Sequence, residues 1–364
     1  MHFKTEILYK VDKNLWNDTL KLNTASTASQ MYDTFRPHQL TFDSKPVFII
    51  ISNPSGKIVG QLSTIIHIND YWLETNIISK LINSKFNLGS IIRWSHGPII
   101  HDQENFNEIL SDILSAVDKI AVDHNVNLIS GTSPPQVSAF PVSILKNNGY
   151  TIKPWISYIT DLQRNVDDIY HALHNKTRYD IRKGEKLGLE FEVSSTRESI
   201  DIYRYVKYHD KKKIEQVRKK NKKFTDNIWK VLFQNGYKKN FIVRYEGNPI
   251  AVINNFLFNG NVSQVGVATS SEAGKYAGTF LTWNTIRWAA ENNYRTYDVG
   301  GANPSPISKK EQGINLFKSK WASKKVDYFI CTKVFNKTKL NISNIIKQPK
   351  SIKHKINKKI IKMN

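Results

Sequence analysis

The chain is organised around the stretch Tyr297-Asp298-Val299-Gly300-Gly301, which reads as a short strand ending in a double glycine. A proline-punctuated loop follows, and an aromatic and basic run over residues 315–321 then enters another strand. A strand end fixes the backbone, and residues without a Cβ let a ligand approach the main chain closely. The stretch therefore predicts a pocket at this strand end.

The elements before this stretch follow a clear order. Residues 241–258 read as two strands joined by a turn, and Asn259-Gly260 is the strongest hairpin signal in the chain, leading to a third strand at 261–269. A helix is predicted from about Ala277 to Asn293. The strand that ends in the double glycine comes directly after this helix.

The first half of the chain shows the same order. Residues 46–62 read as a hairpin, and residues 106–121 carry apolar side chains at three- and four-residue steps, which predicts an amphipathic helix. A strand at 127–130, a short helix at 140–145 and a strand at 155–162 follow. We therefore predict an α/β (α+β) fold built from two similar units in tandem.

We place the first unit at residues 1–153 and the second at residues 154–335. A single helix early in the second unit is predicted by apolar side chains at four-residue steps, namely Ile169, Leu173, Thr177 and Ile181. Residues from about 199 to 235 predict a helical insertion without strands. Residues 336–364 form a basic tail.

Length and composition bound the class of protein. The 364 residues, 40% of them apolar and 11% aromatic, are sufficient for the cores of two domains. Because no run of about 18 apolar residues occurs, and the N-terminus resembles no signal peptide, we expect a cytoplasmic protein that does not span a membrane. Cys331 is the single cysteine, and its apolar neighbours predict a small core residue.

The charge points to an anionic partner. The net charge is +22, and the segment from Lys207 to Lys223 carries nine basic residues against two acidic ones. Its candidate nucleic-acid contacts are Lys211, Lys212, Lys213, Arg218, Lys219 and Lys220. The alternative is that the lysines reflect coding bias and solvated surfaces.

The tail is a second basic segment, with nine lysines between Lys337 and Lys362 and no acidic residue after Asp327. If it is helical, one face carries Ile352, Ile356, Ile360 and Met363. Such a helix would lie on an anionic membrane surface, which would make the protein membrane-peripheral. A disordered basic terminus is the alternative, because short isolated helices are marginal in water.

The predicted helix near residue 181 carries candidate substrate-binding residues, namely Lys176, Arg178, Arg182 and Lys183. Arg178 and Arg182 are four residues apart and share a face, where two guanidinium groups can hold phosphate or carboxylate oxygens. The alternative is a solvated face on which Arg182 pairs with Asp180 or Glu185.

Residues 270–279 lie between a strand and a helix and include Tyr276. Backbone amides at a helix N-terminus bind anions such as pyrophosphate, although neither a P-loop nor a dinucleotide-binding motif is present. The alternative is a glycine-containing loop that caps a helix.

Asp298 either orients or deprotonates an attacking amine, or only hydrogen-bonds nearby amides. Lys318 and Lys320 alternate with Phe317 and Trp321, which places two ammonium groups beside aromatic walls or on an ordinary amphipathic surface.

His96 stands in the segment Ser95-His96-Gly97-Pro98, and a histidine in an ordinary environment titrates near neutral pH. No second ligand stands at metal-binding spacing and no zinc pattern occurs, so we expect no metal site. No Gly-x-Ser-x-Gly elbow occurs, so a hydrolase triad is not indicated.

Together these segments resemble the FemAB-like family, the peptidoglycan interpeptide-bridge peptidyltransferases and their relatives, over roughly residues 16–329. The resemblance rests on five short segments, at residues 95–98, 155–162, 176–186, 297–301 and 313–318.

The resemblance implies a fold made of a tandem pair of GNAT-like units. It also implies an activity, because members of the family transfer an aminoacyl or acyl group to an amine without a covalent enzyme intermediate. It implies that Arg178 and Arg182 neutralise substrate phosphates, and that Asp298, Gly300 and Gly301 shape the acceptor channel. It also implies that the basic insertion faces the phosphates of tRNA.

We therefore predict an N-acyltransferase that holds no bound cofactor, with aminoacyl-tRNA or acyl-CoA as donor and a small-molecule or lipid-linked amine as acceptor. The family's aromatic-Gln-Ser signature survives only loosely, at residues 28–32, and Ala273 and Tyr276 depart from the GNAT pattern for CoA. An acyl-CoA-dependent enzyme on the same fold and a non-catalytic nucleic-acid or membrane-binding protein are the alternatives.

Overall fold

The computed structural model describes residues 3–67, 90–135, 137, 140–208, 221–270, 274, 276–321 and 323–347. The strands are β1 (Lys4–Leu8), β2 (Ser44–Ser52), β3 (Ile58–His67), β4 (Ile91–Arg93), β5 (Ile99–Ile100), β6 (Leu128–Thr132), β7 (Thr151–Asp161), β8 (Glu190–Ser194), β9 (Lys238–Tyr245), β10 (Asn248–Phe258), β11 (Asn261–Thr269), β12 (Thr296–Ala302) and β13 (Lys324–Val334).

The helices are α1 (Lys13–Lys21), α2 (Arg36–Thr41), α3 (Phe106–Asp123), α4 (Val142–Asn147), α5 (Val166–Ala172), α6 (Asn175–Lys186), α7 (Arg197–Tyr208), α8 (Lys222–Ile228), α9 (Ala277–Glu291), α10 (Lys309–Ser319) and α11 (Lys337–Lys347). A 3₁₀ turn at Ala28–Gln30 and a π turn at Trp229–Phe233 complete the described helical segments.

The described strands form one continuous sheet in the order β1-β2-β3-β4-β6-β13-β7-β12-β11-β10-β9-β8, with β5 paired to β3. Most neighbouring strands are antiparallel. The two parallel pairs among the described strands are β4 with β6 and β11 with β12, one in each half of the sheet. The predicted repeat of two α/β units is therefore confirmed.

The two halves exchange their last strands. β7 begins at the end of the first predicted unit and pairs with β12 of the second unit. β13 is the last strand of the second unit, yet it pairs with β6 of the first. Because β7 and β13 also pair with each other, the centre of the sheet is built from both halves of the chain. The boundary at residues 153 and 154 stays a prediction.

Helices cover the apolar side chains of each half. The buried face of α3, which includes Ile109, Ile113 and Val117, packs on β2, β3 and β6. In the second half, α9 buries Phe280 and Leu281 against β9 and β10, and Trp283 and Ile286 against β7 and β12. The Asn259-Gly260 hairpin is confirmed: both residues have positive φ, at 48° and 70°, which a tight hairpin turn requires.

Three predicted elements differ from the structure. The single helix over Ile169 to Ile181 is two helices, α5 and α6, because His174 caps the second by accepting the N–H of Lys176. The segment before the helical insertion contains β8, an edge strand paired with β9. The run 315–321 does not enter a strand directly, since its first part belongs to α10.

The described residues of the insertion at 199–235 are mostly helical, in α7, α8 and the π turn. Residues 209–220, which include Lys211, Lys212, Lys213, Arg218, Lys219 and Lys220, lie outside the described residues. The tail begins with α11, and the predicted apolar face at 352–363 also lies outside them.

Acid should destabilise this fold through histidines held neutral by burial. Burial lowers the pKa of His101, which follows β5 and hydrogen-bonds Gln61, to about 4. The unfolded chain takes up a proton below pH 6.5 while folded His101 does not, so stability falls as pH drops from 6.5 towards 4. We expect His101 to contribute about 1–2 kcal/mol of this loss between pH 7 and 5.

Urea unfolding at the two pH values, with the wild type and a His101→Gln variant, measures this contribution. The exposed His171→Gln is the control and should retain the full loss. An equal loss in His101→Gln and wild type would contradict the assignment.

Candidate active site

Asp298 lies in the middle of β12, between the core residues Tyr297 and Val299, and is itself buried. Its Oδ1 accepts hydrogen bonds from the Ser157 hydroxyl of β7, at 2.5 Å, and from the Gly300 amide, at 2.7 Å. These bonds hold the carboxylate in one orientation at the junction of the exchanged strands.

The double glycine makes room for side chains from the neighbouring strands. The pairing of β12 with β7 is irregular between Asp298 and Gly301, and Gly300 has a φ of 86°, which disfavours any side chain. A Cβ on Gly301 would lie 2.2 Å from Tyr328 Oη and 2.5 Å from Trp155 Nε1. The Tyr328 hydroxyl and the Trp155 indole N–H therefore both lie close to Gly301.

Lys318 reaches the same point from α10. Its ammonium group donates to the Gly301 carbonyl at 2.9 Å. Burial lowers the pKa of Lys318, and the charge of Asp298 acts in the opposite direction. The structure therefore joins three predicted site residues, Asp298, Gly301 and Lys318, in one cluster.

His96 enters this cluster from the first half of the chain. Its backbone has a φ of 51°, an uncommon value for a non-glycine residue that often marks a functional site. Its amide donates to Thr132 Oγ1 at 2.8 Å, and its ring packs edge-to-face on Tyr328 with the centroids 5.7 Å apart. Burial lowers the pKa of His96, and the negative charge of Asp298 acts in the opposite direction.

Gln30 supports the loop that carries His96. Its side-chain amide donates to the Ser95 carbonyl at 2.7 Å, and its Oε1 accepts the Ser63 amide at 2.8 Å. Gly97 packs directly on it, since a Cβ there would lie 2.6 Å from Gln30 Nε2. Gln30 belongs to residues 28–32, the segment that matches the family's aromatic-Gln-Ser signature loosely. The sequence therefore indicated this residue, but not that it contacts the loop that carries His96.

The ladder between β11 and β12 ends next to the cluster after three paired positions, and we call the place where it ends the opening between β11 and β12. The ladder between β10 and β11 skips Val265, and such a bulge leaves the extra residue unpaired. Val265 and Val267 are 50% and 45% exposed, which is unusual for valines in an inner strand. Exposed valine side chains therefore follow β11 beyond the end of its ladder with β12.

The corresponding place in the first half is closed. There β4 and β6 also pair at three positions, but the Trp94 indole lies over Gly131 and donates to the Gly97 carbonyl at 3.1 Å. The Gly97 amide bonds the Thr132 carbonyl, which holds the strands together beyond the ladder. The Trp94 side chain therefore covers the end of the first of these two strand pairs.

The arginines of α6 hydrogen-bond to groups of α5 and α6. Arg178 donates to the carbonyl of His171 at 2.5 Å and to the side chain of Asn175. Arg182 donates to the hydroxyl of Tyr170 at 3.3 Å. The structure describes no contact of either arginine with Asp298, and their role at a substrate stays a prediction.

The alternative, in which Arg182 pairs with Asp180 or Glu185, is not found among the ion pairs of the described residues, and Asp180 instead pairs with Lys176 at 3.3 Å. Lys183 is half-buried on α6. Tyr276 immediately precedes α9, as predicted for a helix N-terminus.

These contacts distinguish the two arginines. We expect Arg178→Ala to lower the free energy of unfolding by about 0.5–1 kcal/mol, because it removes two exposed hydrogen bonds, one of which joins α6 to α5. Arg182→Ala should leave stability unchanged and lower transfer activity. Urea unfolding together with a transfer assay tests both, and unchanged turnover in Arg182→Ala would remove it from the site.

Phe317 and Lys320 lie apart from the cluster. Phe317 packs on the core and on Trp321, with ring centroids 6.0 Å apart, so it acts as a core residue. Lys320 caps the C-terminus of α10, and no contact between it and the cluster occurs among the described residues.

Sequence analysis assigned no site role to Ser157, Trp155, Tyr328 or Gln30. The first three reach Asp298 and Gly301 through the pairing of β7 with β12 and β13, and Gln30 acts through Ser63 and Ser95 of the first half. Local patterns do not reveal such long-range contacts.

In the described ranges, no group of three potential ligand side chains is placed to bind a metal ion. None of the helices described combines the length and apolar character needed to cross a membrane.

Residues 172–306 match the sequence model of a family described as the acetyltransferase (GNAT) domain. The matched segment lies in the second half of the chain, which there resembles a GNAT domain. It contains α6, β11, β12 and Asp298 with both glycines. The predicted acyltransferase enzyme is thereby confirmed, and N-acyl transfer is the activity that the match supports.

Several solved structures share the fold of nearly the whole chain, including the segment that matches the GNAT family. FemX superposes with a TM-score of 0.66 at 13% identity, covering 94% of this chain and 100% of its own. A tandem GNAT protein from the clavulanic acid biosynthesis pathway has a TM-score of 0.59 at 10% identity, covering 92% and 98%. A conserved protein of unknown function from Bacteroides thetaiotaomicron has a TM-score of 0.52 at 11% identity, covering 90% and 100%.

The likeness to these proteins extends to the fold and not to substrates. Comparison with curated protein sequences gives no significant match. The predicted tandem pair of GNAT-like units is confirmed by these structures.

Proposed function

We propose that the protein is an N-acyltransferase that moves an activated acyl group, in the first instance an aminoacyl group carried by tRNA, to a primary amine. The observation that carries the proposal is the cluster at the sheet junction. There Lys318 and Tyr328 contact Gly301, His96 packs on Tyr328, and Asp298 accepts the amide of Gly300, beside the opening between β11 and β12. Both halves of the chain contribute to it.

In the proposed reaction the amine nitrogen attacks the acyl carbonyl carbon directly. A C–N bond forms, and the ester or thioester bond to the donor breaks. Asp298 holds the amine through an N–H, and neutral His96 accepts the proton that the amine loses. That proton then returns to the leaving oxygen or sulfur, so no charge accumulates.

The surroundings of Asp298 support direct transfer. Ser157 is 2% exposed, so its hydroxyl is out of reach of the carbonyl carbon of a bound donor. Burial raises the pKa of Cys331 to about 12, so its thiol stays protonated. Catalysis then depends on placing amine and carbonyl together and excluding water.

The opening between β11 and β12 is the proposed donor site. The skipped residue Val265 has a backbone N–H that can stabilise the negative charge that develops on the acyl oxygen. The Lys318 ammonium, close to Gly300 and Gly301, adds a positive charge beside the same place. An anionic donor such as tRNA or CoA would be attracted to it.

Acyl-CoA is the second candidate donor, and the match to the GNAT acetyltransferase family favours it. The proposed acceptor is a small-molecule or lipid-linked amine. tRNA contact through the 207–223 segment and contact of the tail with an anionic membrane are further parts of the proposal, carried by charge alone.

The test is transfer from a labelled donor. Purified protein is incubated separately with labelled aminoacyl-tRNA and labelled acyl-CoA, each with a set of amines, and label is sought on the amine. We expect transfer from aminoacyl-tRNA; transfer only from acyl-CoA would assign the alternative donor. Transfer from neither, with RNA binding that weakens steeply with salt, would favour a binding protein instead.

A further inference from the structure

Thr27 is buried beside the ring of His96. It immediately precedes the 3₁₀ turn at Ala28–Gln30 and is 3% exposed. Its Oγ1 lies 3.4 Å from Nδ1 of His96. In the described part of the chain, the ring of His96 has no other hydrogen-bond partner. Thr27 is therefore the residue that can fix both the orientation of this ring and the position of its hydrogen.

Both halves of the chain hold Thr27 in place. Its Oγ1 accepts the amide of Ser29 at 3.3 Å, which starts the 3₁₀ turn. The preceding residue, Ser26, is fixed from the hairpin of the second half. Asn259 Nδ2 donates to the Ser26 hydroxyl at 3.1 Å, and Asn261 Nδ2 donates to the Ser26 carbonyl at 3.4 Å. The hydroxyl of Thr27 therefore has a fixed place beside the ring.

The hydrogen of the His96 ring can lie on either nitrogen. Burial lowers the pKa of His96, so the ring is neutral and has one N–H and one lone pair. Nδ1 faces Thr27, which leaves Nε2 as the nitrogen available to a substrate. If Nδ1 carries the hydrogen, it donates to Thr27 and Nε2 has the lone pair. If Thr27 donates to Nδ1 instead, Nε2 carries the hydrogen and cannot accept a proton.

We propose that Thr27 is a positioning residue, which accepts the Nδ1–H of His96 and so leaves the Nε2 lone pair for the proton of the attacking amine. The use of that lone pair rests on the proposed function, whereas the position of the hydrogen does not. Thr27 Oγ1 already accepts the amide of Ser29, and a hydroxyl oxygen has a second lone pair for the Nδ1–H. A separation of 3.4 Å is long for this bond, as is common in catalytic sites before a substrate binds.

The proton transfer is balanced at the ring. As the amine nitrogen forms its bond to the acyl carbon, its proton passes to Nε2, and the resulting imidazolium still donates from Nδ1 to Thr27. The Nε2 proton then passes to the leaving oxygen or sulfur. Among the described residues, two other titratable groups act at this ring. The charge of Asp298 favours the imidazolium, and Tyr328, which packs edge-to-face on the ring, stays protonated because burial raises its pKa.

The first experiment locates the hydrogen and needs no substrate. ¹⁵N NMR of protein labelled in its histidine rings shows which ring nitrogen is protonated, and a His96→Gln variant identifies the His96 signals by difference. We expect the Nδ1–H tautomer in the wild type. In Thr27→Val the tautomer ratio should shift about two- to tenfold towards Nε2–H, the effect of one neutral hydrogen bond. An Nε2–H tautomer in the wild type, or an unchanged ratio in Thr27→Val, would overturn the proposal.

The pKa of His96, followed in the same spectra on acidification, gives a second readout. A hydroxyl that accepts the Nδ1–H stabilises the charged ring more than the neutral one, so Thr27→Val should lower the pKa of His96 further. A hydroxyl that donates to Nδ1 binds the neutral ring alone. A raised pKa in Thr27→Val would therefore assign the opposite tautomer and contradict the proposal.

Steady-state kinetics tests the consequence for acyl transfer. We expect Thr27→Val to lower kcat about two- to tenfold at unchanged KM, and Thr27→Ser, which keeps the hydroxyl, to restore the wild-type value. Thr285→Val is the matched control, because Thr285 is also buried and its hydroxyl bonds the Leu281 carbonyl within α9 at 2.8 Å. Equal losses in Thr27→Ser and Thr27→Val would contradict the positioning role. Absence of transfer in the wild type would concern the proposed function alone, since NMR decides the tautomer independently.

Discussion

Replacing Asp298 by asparagine is expected to lower kcat/KM for acyl transfer about 100- to 10,000-fold, the range found for positioned acid–base groups. Asparagine keeps an acceptor for the Ser157 hydroxyl and the Gly300 amide, so the protein should remain folded. The substitution removes the negative charge that raises the pKa values of His96 and Lys318 against the effect of burial. Without it the pKa of Lys318, already lowered by burial, falls further.

Asp161→Asn is the matched control. Asp161 is exposed at the end of β7 and accepts the amide of Gln163 at 3.0 Å, away from the cluster. Its kcat/KM should stay within about twofold of the wild type, as for other surface changes. Steady-state kinetics on both variants, with circular dichroism to verify folding, makes the comparison. Full activity in Asp298→Asn would contradict the role given to the carboxylate.

Replacing Gly301 by alanine is expected to reduce turnover at least about 100-fold, since a displacement of about 1 Å in an active site has effects of this size. The new Cβ would overlap Tyr328 Oη and Trp155 Nε1, at 2.2 and 2.5 Å. Both side chains, or β12 itself, must move away. The same overlap should cost about 1–3 kcal/mol of unfolding free energy, measured in urea.

Gly313→Ala tests whether any added methyl group has this effect. Gly313 lies in α10, the helix that carries Lys318, and a Cβ there meets no atom within 4 Å. The substitution should leave activity unchanged and add about 0.5–1 kcal/mol of stability, because alanine favours the helix. If Gly301→Ala is as active and stable as Gly313→Ala, the close packing at Gly301 has no role in function.

Much of the fold follows from local patterns. Long apolar periodicity predicted α3 and α9, and the Asn259-Gly260 pair predicted the hairpin of β10 and β11. The order of these elements then indicated two similar units. The helix α10 was not predicted, although its start has a local signal. It begins with a complete capping box, in which the side chains of Ser308 and Glu311 bond each other's backbone amides.

The site was only partly predictable, for a topological reason. Asp298, Gly300, Gly301 and Lys318 lie close in sequence, so one stretch indicated all of them. Tyr328 reaches them because β13 crosses into the other half, where its register places it opposite Trp155 of β7. Such a strand exchange depends on long-range pairing, which residue patterns do not encode.

The most direct measurement of the central claim is the kinetic order of transfer. The account places donor and amine together at the Asp298 cluster and passes the acyl group straight between them. Initial rates with both substrates varied should therefore give intersecting double-reciprocal lines, and intact-mass measurement during turnover should find unmodified protein. Parallel lines together with an acylated protein would contradict direct transfer.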